Sequence, residues 1–445
     1  MNCMQNISTV RKATIRYLGL LVTIGVCLPL WAGTTDATPA TKSEVVAAYR
    51  QRLEVVRTQI PEITRAAEAV AKRWVEKKQT LLHFPFGGDT SNFTMEFCSR
   101  AGGLENSQPN TVRLTIRSAN DVIVMAPRSW EKGGAFLKEE LTKARADGWM
   151  IIVFGSRRGM PKGLRVDFLI DNGAADGSEK EAALNQIVNV TSGWIWCCEL
   201  TSALTRLGQR PAVLKGMPLP GAADHNKDYL GSETPPHLYP CDTPIPAGKL
   251  ANIYLEQIGV ELATMEGKKI QDQIVRAADM AVAHLKAGKK IWASSFTHIL
   301  DGEVLENNRS PMGSFRGISC GEKGEAFHEN VKPGDLLFFF GEWSTDLPWF
   351  DYIKVIRKTH ADYILSCRLG NEPTDSFKGK PNAFAPRVKG AAMVLEQPWP
   401  FENAVVPIPF PPGKMAPVSG VHVCLLYRML DEKIAVKLSA SAPKP

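Results

Sequence analysis

The chain runs twice through the same order of elements, and that repetition limits its architecture more than any single motif. In the first pass, "KSEVVAAYRQRLEVVRTQIPEITRAAEAVAKRWVEKKQ" from Lys42 is helical by pattern, with Pro61 marking a break. The short apolar runs "TLLHFPF", "NDVIVMAP", "WMIIVFGS" and "VDFLIDNG" then read as strands, with the helix "GGAFLKEELTKARADG" between the second and third. "SGWIWCCELTSALTRLG" closes the pass as a helix. Residues 216–248 are rich in Pro and Gly and read as a connection. The second pass follows: helical "ANIYLEQIGVELATMEGKKIQDQIVRAADMAVAHLKAG", strands "KKIWASS" and "GDLLFFFG", helix "LPWFDYIKVIRKTHAD", strands "YILSCRLG" and "GAAMVLEQ", and the closing helix "SGVHVCLLYRMLDEK". Apolar strands alternating with amphipathic helices require a parallel sheet covered on both faces. A chain of 445 residues is also too long for one ordinary domain. The expected fold is α/β: two three-layer αβα sandwiches with parallel sheets, forming a pseudo-dimeric tandem repeat. Its expected halves are residues 42–215 and 249–435, joined by 216–248 and followed by a tail, 436–445.

Individual residues recur as well. Thr90 and Glu96 are matched by Thr297 and Glu303, both 207 positions on. Asp121 is matched by Asp335, 214 on, and Ser192-Gly193 by Ser419-Gly420, 227 on. An offset that drifts with loop length is what a duplicated domain shows.

The N-terminus is of another kind. Arg11, Lys12 and Arg16 precede the apolar run "YLGLLVTIGVCLPLWAG", with small residues at Ala32 and Ala37. That pattern reads as an export signal over residues 1–37 and implies a periplasmic or secreted protein. The run is short for a membrane anchor and contains Pro29. Removing the signal takes three positive charges and Asp36 from a net charge of +7, leaving +5. No Lys/Arg block or aromatic-basic alternation suggests a nucleic-acid partner. No later stretch is apolar for long enough to cross a membrane. Of nine cysteines, seven lie beyond the signal, an odd number without the spacing of metal knuckles. Most read as buried thiols, with at most one or two disulfides.

The stretch "GGDTSNFTMEFCSRAGG", residues 87–103, breaks the backbone with glycine pairs on both sides of one short helix. At the carboxyl end of a strand, Gly87 and Gly88 let the backbone approach a ligand. Thr90, Ser91, Asn92 and the free N–H groups of the next helix then offer donors to it. Gly102-Gly103 would end that helix. The same residues also fit a tight strand-to-helix turn that holds nothing, and Asp89 would repel a phosphate.

With these residues each half resembles the SIS (sugar isomerase) domain. The glycine-hydroxyl loop with its "RAGG" ending, and "CELTSALTRLGQRPAVL…PGAADHN" further on, carry the resemblance. It covers roughly residues 45–435, closely in the first half and by architecture in the second. The resemblance implies a small-molecule partner, a sugar or sugar phosphate; no cofactor is expected, and no metal, since no His lies between His83 and His225. It leaves assembly into oligomers open. It places an anion loop at "APRSWEKGG", where Ser129 remains and Arg128 and Lys132 supply charge. Arg157 and Arg158, after the third strand, are further candidates for holding an anionic group.

Aldose–ketose isomerisation needs a general base beside the sugar. Glu199 falls where the resembled branch carries a glutamate on its later helix, and Glu96 is the second candidate. A salt-bridged surface glutamate is the plain alternative for either. In the second half, Ser294, Ser295, Thr297 and His298 offer hydrogen bonds to a hydroxylated ligand, and His298 sits where it could face the first half's site. Glu342, Trp343 and Trp349 stand at another strand end, as sugar-facing groups or core edge. The expectation is an exported isomerase-like enzyme working by proton transfer, or else a carbohydrate-binding protein without turnover. A buried Glu199 pointing into a shared cleft would favour the first.

Overall fold

In this computed structural model the described residues are 43–78, 80–85, 90–98, 100–109, 118–174, 177–216, 219–227, 238–300, 310–319, 325–343, 352–369 and 390–441. The expected export signal, Gly87, Gly88, Asp89, Glu303 and Trp349 lie outside them.

Helices α1 (Glu44–Thr58) and α2 (Ile60–Lys77) open the fold, and Pro61 stands in the first turn of α2. Proline is tolerated there because that turn's N–H groups have no intrahelical acceptor. α2 buries Ile63, Ala66, Ala67, Val70, Ala71 and Trp74, a stripe at helical spacing that faces the core. The first sheet contains β1 (Leu82–Phe84), β2 (Ser107–Pro109), β3 (Val122–Met125), β4 (Met150–Phe154) and β5 (Phe168–Ile170). Its order is β2-β1-β3-β4-β5, parallel throughout. Successive side chains alternate faces. Val122, Val124, Ile152, Phe154 and Ile170 enter the main core. Ile123, Met125, Ile151, Val153 and Leu169 pack with Leu137 and Leu141 of α4 (Trp130–Ala146). Burial on both faces is why these strands read as unbroken apolar runs.

The long helix α5 (Glu179–Arg206, 28 residues) follows, capped by Ser178, whose Oγ accepts from the Glu181 N–H. All its residues from Ala182 to Thr205 are buried, so it is a central core helix. Described parts of the Pro/Gly-rich connection form regular elements. Within it α6 (Ala222–Asn226) forms, and β7 (Leu238–Pro240) pairs antiparallel with β6 (Gln209–Pro211).

Helices α7 (Lys249–Met265) and α8 (Lys268–Lys286) open the second half. Its sheet comprises β8 (Ile291–Ser295), β9 (Arg316–Gly317), β10 (Leu336–Trp343), β11 (Asp362–Arg368) and β12 (Met393–Glu396). The order β9-β8-β10-β11-β12 repeats that of the first sheet, again parallel. Its outer face packs Trp292, Leu337, Phe339, Tyr363 and Leu365 with Phe327 of α9 (Glu325–Asn330) and with Ile353 and Ile356 of α10 (Tyr352–Lys358). A hairpin, β13 (Ala404–Pro407) and β14 (Lys414–Pro417), then leads into α11 (Ser419–Ala440). The fold is therefore the expected pair of parallel αβα sandwiches. One continuous core joins them within a compact unit spanning Lys42–Pro445.

The amino ends of the two sheets are pinned in the same way. Asp121 accepts from the Leu81 and Ser118 N–H groups and bonds His83 Nε2 at 2.8 Å. Asp335 accepts from the Lys290 and Lys332 N–H groups and from Trp292 Nε1. Each long helix also caps the other half. Glu432 of α11 accepts from Ser43 Oγ and the Glu44 N–H at the start of α1, while Glu199 of α5 accepts from the Gly248 N–H at the start of α7.

Candidate functional site

In a parallel sheet of this order, consecutive crossovers part between β1 and β3, and ligands bind at the carboxyl ends of the strands there. β1 ends at Phe84, and Thr90 leads into α3 (Ser91–Phe97). Thr90 Oγ1 and Thr94 Oγ1 both donate to the Pro85 carbonyl, at 3.0 and 2.6 Å, which ties α3 to the strand tip. Ser91 is half-buried, and Asn92 is buried and donates to Gln186 Oε1 at 3.0 Å.

β3 ends at Met125, and Ser129 caps α4 by accepting from the Lys132 N–H. Arg128 is buried, and its carbonyl accepts from Asn185 Nδ2 at 2.8 Å. Asn189 Nδ2 donates to the Pro127 carbonyl, and Asn172, after β5, donates to Asn189 Oδ1. A belt of amides on α5 thus holds the loops after β1, β3 and β5 in place. Sequence reading missed Asn172, Asn185, Gln186 and Asn189. The signal for the last three was the run "SEKEAALNQIVNV", a capped helix start with amides at buried positions.

The second half meets these strand tips directly. His298 Nδ1 bonds the Met95 carbonyl of α3 at 3.1 Å, and Gln186 Nε2 donates to the Ile299 carbonyl. An Nδ1–H that donates to a carbonyl leaves Nε2 of a neutral ring as an acceptor. Desolvation, reinforced by the nearby Arg100 guanidinium, pulls the His298 pKa down to about 3, so the ring is neutral at physiological pH. Arg157 and Arg158 are exposed after β4, next to Ser156, whose carbonyl accepts from Trp130 Nε1 at the start of α4.

The carboxylates lie elsewhere. Glu96 is buried inside α3, where it accepts from Trp194 Nε1 at 3.1 Å and pairs with Arg100 at 3.6 Å. Arg100 in turn donates to Ser419 Oγ of α11 at 2.6 Å, so this group bridges the two halves. Glu199 is fully buried, yet its Oε2 accepts from Thr64 Oγ1 at 2.8 Å and the Gly248 N–H at 2.9 Å. It therefore caps α7 and links α2, and its described partners belong to helix packing. Gly102-Gly103 do not end α3, which stops at Phe97. Gly102, at φ +80°, donates to the Leu214 carbonyl, and a Cβ there would lie 3.1 Å from Ala404 Cβ. The second glycine pair therefore serves close packing between the halves.

At the second sheet's tip, Ser295 Oγ and Thr297 Oγ1 lie 2.8 Å apart, and Ser294 Oγ is buried without a hydrogen-bond partner. Nothing is described of the Glu342 and Trp343 side chains. The six described cysteines beyond the signal are free thiols. Among the described residues no group of three His, Cys, Asp or Glu is placed to hold a metal, and no helix is long and apolar enough to cross a membrane.

No protein-family model and no curated protein matches the sequence. The chain is similar to several solved structures. One is the C-terminal domain of glucosamine-fructose-6-phosphate aminotransferase from Francisella tularensis, at 11% identity and a TM-score of 0.49, with 90% of this chain and 98% of that chain covered. Another is described as a phosphosugar isomerase from Silicibacter pomeroyi, at 12% identity and a TM-score of 0.49, covering 89% and 97%. A third is described as a sugar binding protein from Salmonella typhimurium, at 11% identity and a TM-score of 0.43, covering 87% and 98%.

Proposed function

We propose that the crevice at the β1/β3 tips binds a sugar derivative without turning it over, in an exported protein of SIS type built by tandem duplication. One observation carries the reading: hydroxyls, amides and His298 from two halves converge where an open parallel sheet receives ligands. A ring rich in hydroxyls needs donors and acceptors held in place, and the buried amide belt fixes the loops after β1, β3 and β5 with little reorganisation. Isomerisation asks for a base beside the ring. Glu96 is held by Trp194 and Arg100, and Glu199 takes its described hydrogen bonds, both on Oε2, from Thr64 and Gly248, which supports binding over catalysis. The matched strand orders and matched Asp121 and Asp335 contacts support the duplication.

The test is a thermal-shift panel of neutral sugars, amino sugars, sugar acids and sugar phosphates on purified protein. At least one class should stabilise the wild type, with a smaller shift for His298→Leu, and the bound sugar should be recovered unchanged. No stabilisation by any class would refute binding, and conversion of the sugar would refute the lack of turnover. Fractionation of cells expressing the tagged full chain tests export, which fails if the protein stays in the cytoplasm with residues 1–37 intact.

A further inference from the structure

A cleft of about 210 Å³ opens where irregular segments of the chain cross. Leu214 and Lys215 of the first half, with Gly216, Leu219 and Pro220 of the connection, form one wall, and Glu402, Ala404, Pro412 and Lys414 around the β13–β14 hairpin form the other. Gly102 lies between them. Its N–H donates to the Leu214 carbonyl and its carbonyl accepts from the Ala416 N–H, so the walls are tied together.

One backbone segment here has dedicated support. Asn226, 3% exposed, accepts from the Lys215 N–H through Oδ1 and donates from Nδ2 to the Lys215 carbonyl, at 2.8 and 2.7 Å. His225 Nε2 meets the Val213 carbonyl at 2.9 Å. The "PGAADHN" motif thus fixes the backbone at Lys215, a residue that the β1/β3 strand tips do not use. Lys215 Nζ donates to the Pro220 carbonyl at the cleft's edge, and Lys414 Nζ pairs with Glu402 at 2.7 Å.

Lys215, Lys414 and Glu402 line this cleft together with apolar residues. A simple anion would have to approach Glu402, and a simple cation would have to approach two lysines. A zwitterion with a carbon body suits all three: its carboxylate takes the lysines, its ammonium takes Glu402, and its body covers Leu219 and Pro412. At roughly 30 Å³ for each water's share of liquid volume, the cleft has room for about seven water-sized groups. That is the size of alanine, serine or threonine. We propose that this cleft binds a small free α-amino acid, at a site separate from the sugar crevice.

Calorimetric titration of the full chain tests this, with alanine and serine against alaninamide, N-acetylalanine and acetate. Alanine or serine should bind, and each form lacking one charge at least about tenfold more weakly, the loss expected for one charge-assisted hydrogen bond. Lys215→Met and Glu402→Gln should each weaken amino-acid binding by about the same factor, without changing the response to sugars. The proposal is overturned if neither amino acid binds at roughly millimolar concentration. It is equally overturned if acetate binds as well as alanine, or if binding survives in Lys215→Met/Lys414→Met.

Discussion

Glu199 is where a structural and a catalytic role diverge most sharply. Its Oε2 receives two hydrogen bonds, from Thr64 Oγ1 and the Gly248 N–H. Glu199→Ala removes the acceptor for both and leaves a gap inside a helix buried on every side. A donor left without its acceptor costs about 1–3 kcal/mol when buried, and a lost helix cap about 1 kcal/mol. Thr64 and Gly248 are both half-buried, so water recovers part of the loss. The expected destabilisation is roughly 2–4 kcal/mol for Glu199→Ala and about 1 kcal/mol for Glu199→Gln, which keeps the shape and a neutral acceptor oxygen. Denaturant titration measures both, and amide exchange should accelerate at the start of α7. Affinity for whichever sugar stabilises the wild type should change less than about twofold, since no contact with the crevice is lost. A Glu199→Gln protein with full stability, but with sugar binding or turnover abolished, would refute the structural assignment.

Gly193→Ala would place a Cβ 2.5 Å from Phe97 Cζ and 2.9 Å from Phe93 Cε2, so a loss of about 1–3 kcal/mol is expected in a thermal melt. Gly420→Ala brings a Cβ to 2.7 Å from Ile299 Cδ1 and 2.9 Å from both Glu96 oxygens, and the same assay should show a loss of similar size. His298 is held neutral, with its pKa depressed from 6.5 to about 3. The unfolded chain therefore binds the extra proton first as pH falls. The stability contributed by His298 is complete above about pH 6.5 and lost progressively toward pH 3, by at most roughly 5 kcal/mol and less for a half-buried ring. His298→Asn should flatten denaturation midpoints across that window, and an unchanged pH slope would contradict the account. Asp121→Asn and Asp335→Asn should each cost about 1–3 kcal/mol in denaturant titrations, because equivalent backbone donors lose a charged acceptor.

The fold was readable because both sheets are buried on two faces. "VIVM" and "MIIVF" have no polar side to disguise them as helix, and Pro61 marked the α1–α2 break to within two residues. The β13–β14 hairpin escaped notice because its turn, "IPFPPG", lacks the alternation that identifies strands. The first half of α5 was missed for the opposite reason. Asn185, Gln186 and Asn189 are polar but fully buried, and only the folded loops show which carbonyls they serve. Direction is what the linear pattern lacked most. Glu199 sits on a helix buried all round, so spacing could not say whether its carboxylate faced a ligand or the start of α7. His298 does reach the first half, on the Met95 carbonyl, a placement suggested by its turn beyond β8.

Hydrogen–deuterium exchange with a saturating stabilising sugar examines the proposed crevice most directly. Protection should appear together at residues 90–97, 126–132 and 155–158 of the first half and at 297–300 of the second. Protection confined to one half, or its absence from the segments around β1 and β3, would contradict the account.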